Sequence, residues 1–230
     1  NQPLDIVFIS NGETLADKHY QQLLNITKDK PNRVIRIDNV KGRVASQHAA
    51  AKASSTEWYF LVNAKLSVNK DFDFSWQPDR YTSRKHYVFY ATNNLNKLEY
   101  GHMAMIAANK NIVLNQTDYN LDFTMGGAHT VVNINSGYAY FNESPLATWR
   151  TAFRECVKLT HNIQTNSLDL ESFDRLNTWL NVASGNFAEY CLQGAKDGFE
   201  YAKKNEGNLD ALKLTREWDW LNEYWSNLHP

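Results

Sequence analysis

The spacing of apolar and polar positions changes character along this chain. Leu4-Asp5-Ile6-Val7-Phe8-Ile9-Ser10 is a short apolar run closed by Asn11-Gly12, the pattern of a buried strand ending in a turn. Thr14 stands where a helix cap belongs, and Leu15, Tyr20, Leu23 and Leu24 form an apolar stripe that predicts a helix to about Thr27. Pro31-Asn32 interrupts the chain. From Arg33 to Ile37 polar and apolar residues alternate, which predicts a second strand. Val44 to Ser55 is rich in Ala and predicts a helix able to lie close against a sheet. Trp58 to Val62 is apolar throughout, as expected of a strand covered on both faces. Strand, helix, strand, helix, strand is the rhythm of a parallel α/β sheet with right-handed crossovers.

The middle third is less regular. His86 to Ala91 predicts a strand. Met103 to Ala108 and Asn111 to Leu114 flank the turn-like Asn109-Lys110 and predict a hairpin. Met125-Gly126-Gly127 is a break, after which Thr130 to Ile134 and Tyr138 to Phe141 predict two strands bounded by Gly137. The last third is helical. Pro145 suits a first helical turn, followed at helical spacing by Trp149, Ala152, Phe153, Cys156 and Leu159. Further helices are expected over Leu170 to Val182, Phe187 to Lys203 and Leu209 to Leu228, with Gly185 as the main break between the first two. With no repeat and no low-complexity linker, the simplest division is one domain over 1–230: an α/β core to about 160, then a helical C-terminal cap over 161–230.

Composition narrows the classes. The 230 residues are 43% hydrophobic and 21% charged, which is ordinary for a globular chain. The formal net charge of −1 gives no general basic excess for nucleic acid or an anionic membrane. No apolar run approaches the ~20 residues of a membrane span, so no membrane partner is expected. No signal peptide is visible, and a start this close to a strand leaves an excised domain open, so a missing leader decides little. Cys156 and Cys191 make neither a disulfide scaffold nor a metal knuckle and read as free thiols on helices. Asn25-Ile26-Thr27, Asn115-Gln116-Thr117 and Asn142-Glu143-Ser144 match the glycosylation pattern, by chance in so Asn-rich a chain. The histidines His48, His86, His102, His129 and His161 show no metal-site spacing, and P-loop, dinucleotide and nucleophile-elbow signatures are absent.

The order of these signals resembles the GT-A class of glycosyltransferases, in particular family-2-like members. Asp5 to Thr14 (DIVFISNGET) sits where that class holds the nucleotide base, which implies Ser10, Asn11 and Glu13 as donor-binding residues. Ala45, Gln47 and Ala49 occupy the spacing of an A-x-N-x-A helix, with Gln in place of Asn. Leu61-Val62-Asn63-Ala64-Lys65 is similar to the Leu-Asp-Ala-Asp strand end, but both acidic positions are changed, to Asn63 and Lys65. Ser136 to Asn142 (SGYAYFN) and Arg154-Glu155-Cys156 resemble the later Gly-x-Phe and Glu-Asp elements, with Cys156 where the family has its Asp. The resemblance covers roughly residues 4 to 160 and extends to uncharacterised phage-encoded proteins. It implies a GT-A-like mixed central sheet flanked by helices, a nucleotide-sugar donor, and the cytoplasm of a host cell for a phage-encoded protein.

Glycosyl transfer must stabilise a diphosphate leaving group, deprotonate the acceptor hydroxyl and exclude water. Family members give the first task to Mg²⁺ or Mn²⁺ on carboxylates. Here no metal ligand is assigned: protonated Lys65 repels a cation, so the expectation is metal-independent stabilisation with Lys65 as a fixed charge. Lys41 and Arg43, beside a helix N-terminus, add phosphate contacts. The plain alternatives are an exposed strand-end lysine and a solvated turn. Glu155 is the first candidate base and Asp122, in the loop DYNLDFTMGG, the second. A surface Glu155 paired with Arg154 or Lys158, and a turn Asp122, are the alternatives. Cys156 as nucleophile lacks a base in sequence. The acceptor class stays open among saccharide, protein and a modified DNA base, with Trp76, Tyr81, Tyr87 and Tyr90 as rings for stacking. A non-catalytic nucleotide- or sugar-binding module of the same fold is the rival reading.

Overall fold

The first apolar run folds as β1 (Asp5–Ser10), and the alternating run beyond Pro31 as β2 (Val34–Asp38). The continuous run folds as β3 (Trp58–Asn63). The connecting helices are α1 (Ala16–Thr27) and α2 (Arg43–Ala53). β1 lies between β2 and β3 and is parallel to both. The structure, a computed structural model, describes residues 1–116 and 128–230. The candidate base Asp122 and the Met125-Gly126-Gly127 break lie outside the described residues. The chain divides into two compact units, Asn1–Thr92 with Glu99–Tyr140, and Asn93–Leu98 with Phe141–Pro230.

In the first unit the sheet is completed by β4 (Leu66–Val68), β5 (His86–Asn93), β6 (Glu99–Asn109) and β7 (His129–Ala139). The strand order is β2-β1-β3-β6-β5-β7-β4. β6 runs antiparallel to β3 and to β5, and β4 antiparallel to β7, so the sheet is mixed. Side chains alternate across it. Val7, Tyr59 and Leu61 meet Ala50 and Ala51 of α2 and Val113 of α3 (Lys110–Asn115) on one face. Phe8 meets Tyr20 of α1 on the other, with ring centroids 5.1 Å apart. Phe60 on that face packs against Phe72, Phe74 and Phe89 in mostly edge-to-face contacts, each adding about 0.5–1.5 kcal/mol beyond area burial. β3 is buried from Trp58 to Val62, as its pattern predicts.

Several local expectations give way. The α1 stripe is Ala16, His19, Leu23 and Thr27, turned from the predicted one, and its N-cap is Leu15 without a side-chain cap. The predicted hairpin at Asn109-Lys110 does not form. Asn109 Oδ1 accepts from the N–H groups of Asn111 and Ile112, capping α3, while β6 takes its partners from β3 and β5. The two strands around Gly137 are one. Gly137 sits within β7 at φ +146, where a Cβ would lie 2.0 Å from the Ser67 carbonyl oxygen. It therefore permits close β4 pairing rather than ending a strand.

The second unit is helical: α4 (Pro145–Thr165), α5 (Leu170–Asn181), α6 (Ala188–Lys204), α7 (Leu209–Leu214) and α8 (Trp218–Leu228). The single helix expected over Leu209 to Leu228 is thus two, separated at Thr215, whose hydroxyl bonds back to the Leu212 carbonyl. Ser144 caps α4 by accepting from the Ala147 N–H. α6 lies close against α4 because Gly194 and Gly198 leave room. A Cβ at either would stand 2.4 Å from a carbonyl oxygen, of Trp149 and Phe153 respectively. Trp149, Phe153, Tyr201, Leu212 and Leu221 form the core here. The Asn93–Leu98 segment is fastened to this unit: Asn94 Oδ1 accepts from the Phe141 N–H at 3.0 Å, and Leu95 O from the Ser184 N–H at 2.8 Å.

Candidate functional site at the carboxyl edge of the parallel strands

The chain leaves β1 toward one side to form β2, then passes to the other side to form β3. In open α/β sheets ligands bind outside the carboxyl ends of the strands where such connections diverge. That point falls here between Ser10-Asn11 and Asn63-Ala64, since Ile9 pairs with Asn63.

The β1–β2 end of this edge is a hydrogen-bonded polar cluster. Buried Ser10 donates from Oγ to Asp38 Oδ1 at 2.6 Å and accepts from Arg36 Nε at 3.0 Å. Arg36 also donates to Asp17 Oδ1 at 2.8 Å, with its guanidinium 5.6 and 5.1 Å from the Phe8 and Tyr20 ring centroids. Its side chain is held by rings below and acids beside it, which orients Ser10 and Asp38. The Asn39 N–H donates to Ser10 O at 3.1 Å, and Asn39 adopts φ +61, a left-handed turn that Asn tolerates. Glu13 Oε1 accepts from the Asn11 N–H at 2.5 Å and closes the loop after β1. Ser10 and Glu13 therefore shape the loop, while Asn11 and Asp38 are exposed at its rim.

The β3 tip is pinned on several sides. The Ala64 N–H donates to Ile9 O at 2.9 Å, and the Tyr140 N–H to Lys65 O at 2.9 Å. The Lys65 N–H donates to Asn63 Oδ1 at 2.9 Å, an Asx-type turn. Buried His19 of α1 holds the remaining carbonyl, with Nδ1 2.5 Å from Ala64 O. A carbonyl only accepts, so Nδ1 carries the proton. Burial holds the His19 pKa below 6.5, and Lys18 adds to the lowering against the opposing bond to Ala64. The Lys65 side chain leaves this turn half-buried.

The N-cap of α2 is Gly42, at φ +92, and no side chain caps the helix. Lys41 before it is exposed and Arg43 half-buried. Gln47 shares the buried face of α2 with Ala50 and Ala51.

The first unit thus brings Ser10, Asn11, Glu13, Lys41, Arg43, Gln47, Asn63 and Lys65 onto the strand ends and helix start of one sheet. Glu155 belongs to the second unit, on α4, with Oε1 3.3 Å from Lys158 Nζ. Cys156 beside it is fully buried, and burial, with help from Glu155 and Cys191, pushes its pKa well above 9.0. Cys191 is pushed up to about 12 by burial. Both are inert thiols, which removes the nucleophile alternative. Of the rings considered for base stacking, Tyr87 is buried and Trp76 packs against it at 5.0 Å, whereas Tyr81 is fully exposed.

Three residues of this edge went unread in the sequence: His19, Arg36 and Asp38. Arg36 and Asp38 end an alternating strand, and a polar pair there is a visible signal. His19 was hidden by misplacing the apolar face of α1. Among the described residues no group of three or more His, Cys, Asp or Glu is placed to hold a metal ion. No described helix is long and apolar enough to cross a membrane.

No family model matches the chain, and no curated protein matches it. One similar solved structure is described as the crystal structure of a glycosyltransferase involved in the glycosylation of the major capsid of PBCV-1. It shares 14% sequence identity over 56% of this chain and 82% of that one, with a TM-score of 0.38. Likeness at that level decides nothing about chemistry.

Proposed function

We propose that this chain is a glycosyltransferase that takes its sugar from a nucleotide-sugar donor without a divalent metal. The observation that carries the reading is the meeting of the Ser10–Asp38 cluster and the pinned Asn63-Ala64-Lys65 turn at the carboxyl ends of β1, β2 and β3. In this reading Asn11 and Asp38 meet the nucleoside, on a loop shaped by Ser10 and Glu13. Lys65 stands beside the diphosphate, with Arg43, Lys41 and the uncapped N–H groups of α2 adding charge and donors. Gln47 supports that helix from its buried face.

The acceptor oxygen attacks the anomeric carbon, and the bond from that carbon to the diphosphate oxygen breaks. Its electron pair leaves with the nucleoside diphosphate, where the ammonium of Lys65 offsets the growing negative charge. The acceptor proton goes to a carboxylate, for which Glu155 and Asp122 are the candidates. The Asn63-Ala64-Lys65 turn does not suit a divalent cation. It has no carboxylate, Asn63 Oδ1 already accepts a backbone N–H, and the lysine repels positive charge. A saccharide, a protein and a modified DNA base all remain acceptors of this reading, in the cytoplasm of a host cell.

A thermal-shift screen of nucleoside diphosphates, with EDTA and with Mn²⁺, tests it. A ligand at a hundredfold excess over Kd stabilises by roughly 2.7 kcal/mol, which is readily seen. No shift with any nucleotide in either condition ends the reading. A second reading, a nucleotide-binding module without turnover, is favoured by the missing carboxylates of the β3 tip. Tight nucleotide binding with no donor hydrolysis would select it.

A further inference from the structure

Asn11-Gly12, in the exposed bend after β1, is the one Asn-Gly pair in the chain. Elsewhere an acid or amide side chain followed by a small residue is tied down. Asn135, before buried Ser136, accepts from the Gly137 N–H at 2.8 Å and donates to Thr92 Oγ1 at 2.8 Å. Asn166, before Ser167, accepts from the Leu168 N–H at 3.1 Å. Asp197-Gly198 lies inside α6, where the Asp197 carboxylate accepts from Trp149 Nε1 and Gln193 Nε2. At Asn11 the main-chain N–H is engaged, by Glu13 Oε1. Among the described residues its carboxamide and the Gly12 N–H make no hydrogen bond. Gly12 adopts φ +81, and a Cβ there would meet no atom within 4 Å, so the bend is uncrowded.

Nothing beyond water is needed for these two groups to react. An amide carbon and the next main-chain nitrogen close a five-membered ring, and the missing Cβ of glycine leaves that nitrogen free to turn toward its target. We propose that Asn11 is a site of deamidation. The Gly12 nitrogen gives its proton to hydroxide and attacks Asn11 Cγ. The Cγ–Nδ2 bond breaks, and Nδ2 takes a proton from water and leaves as ammonia. Water then opens the resulting succinimide. Cleavage at Cγ gives aspartate at position 11, and cleavage at the main-chain carbonyl gives isoaspartate, with the chain rerouted through the side chain. Either product puts a new carboxylate near Glu13 in the loop after β1. On the donor reading, on which this consequence alone rests, the added charge opposes an anionic nucleotide, so affinity falls as the protein ages.

The test is incubation of the full folded chain at mildly alkaline pH, beside the same chain in urea, with peptide mass spectrometry that distinguishes isoaspartate from aspartate. In the folded chain position 11 should convert, with isoaspartate among the products, while Asn135 and Asn166 convert only in urea. The urea sample separates what the fold exposes from what the dipeptide does in any chain. Gly12→Ala crowds the attacking nitrogen and should slow conversion at least about tenfold. Asn11→Gln, which would have to close a larger ring, should slow it to a similar degree and keeps Gly12 in place should the alanine variant fail to fold. Conversion of position 11 in urea alone, or an equal rate in wild type and Asn11→Gln, overturns the proposal. The readout is a mass, so it stands whether or not the loop holds a nucleotide.

Discussion

At the residue scale, the most telling contact is the one between His19 and Ala64. A single imidazole on α1 fastens the turn from which Lys65 projects, and it does so through a backbone carbonyl, leaving no trace in a motif. His19→Ala removes the donor and leaves that carbonyl unpaired, at an expected cost of about 1–3 kcal/mol by denaturant unfolding. His19→Gln, which keeps an N–H, should recover part of it, whereas a site indifferent to this bond would show no difference between the two. The pH dependence has a definite sign. The folded pKa of His19 lies below 6.5, so the unfolded chain binds the proton more readily. Its stabilisation is complete above pH 6.5 and declines as pH falls through the window beneath that value. Residue-level reading of the sequence reached Ser10, Asn63 and Lys65 through the resemblance to GT-A enzymes, not through the apolar pattern, and they lie at or just beyond the ends of β1 and β3. It missed His19 because a polar residue on a buried helix face looks like a gap in the pattern, not part of it.

At the element scale, long one-sided patterns were legible and short ambiguous ones were not. β3 is buried where its uninterrupted apolar run placed it, and α4 begins at Pro145 as its sequence predicts. β6 and α3 were misread because Asn109-Lys110 looks like a turn. Only the pairing of β6 with β3 shows that Asn109 is the end of a long strand and the cap of a helix. Thr215 likewise divides α7 from α8 with no proline or glycine to announce it. Glycines carry the reverse lesson: Gly137, Gly194 and Gly198 read as breaks or as nothing, yet each makes room for a neighbouring backbone. Gly194→Ala should therefore cost about 2–3 kcal/mol by overpacking α6 against α4, even though alanine favours helix. Equal or greater stability by chemical denaturation would show that the two helices separate freely.

At the scale of the whole molecule, the parallel rhythm of β1, β2 and β3 was legible in the pattern and the mixed sheet was implied by the resemblance, but the strand order was not legible. Pairing between strands distant in sequence leaves little local signal, so the seven-stranded mixed order emerges only in three dimensions. The amino edge of the sheet, opposite the candidate site, is closed by Asp5. Burial raises its pKa, but hydrogen bonds from Arg33 and Ser55 outweigh that and hold it below 3.8. The stabilisation it provides is full above the unfolded value and is lost as pH falls through the lower native one. Asp5→Asn should flatten the acid limb of a Tm-against-pH curve while leaving the decline below pH 6.5 from His19 in place. An unchanged acid limb would assign acid sensitivity to other carboxylates. Asp5 thus anchors one end of β1, and Ser10 orders the polar cluster at the other end.

The central claim is that an ammonium group at the end of β3 takes the diphosphate. Calorimetric titration of a nucleoside diphosphate into wild type and Lys65→Ala, both in EDTA, measures it most directly. Wild-type affinity should be unchanged by EDTA, and Lys65→Ala should bind about ten- to a hundredfold more weakly, as loss of a charged hydrogen bond implies. Binding that appears only with Mn²⁺ and is equal in the two proteins would contradict the account.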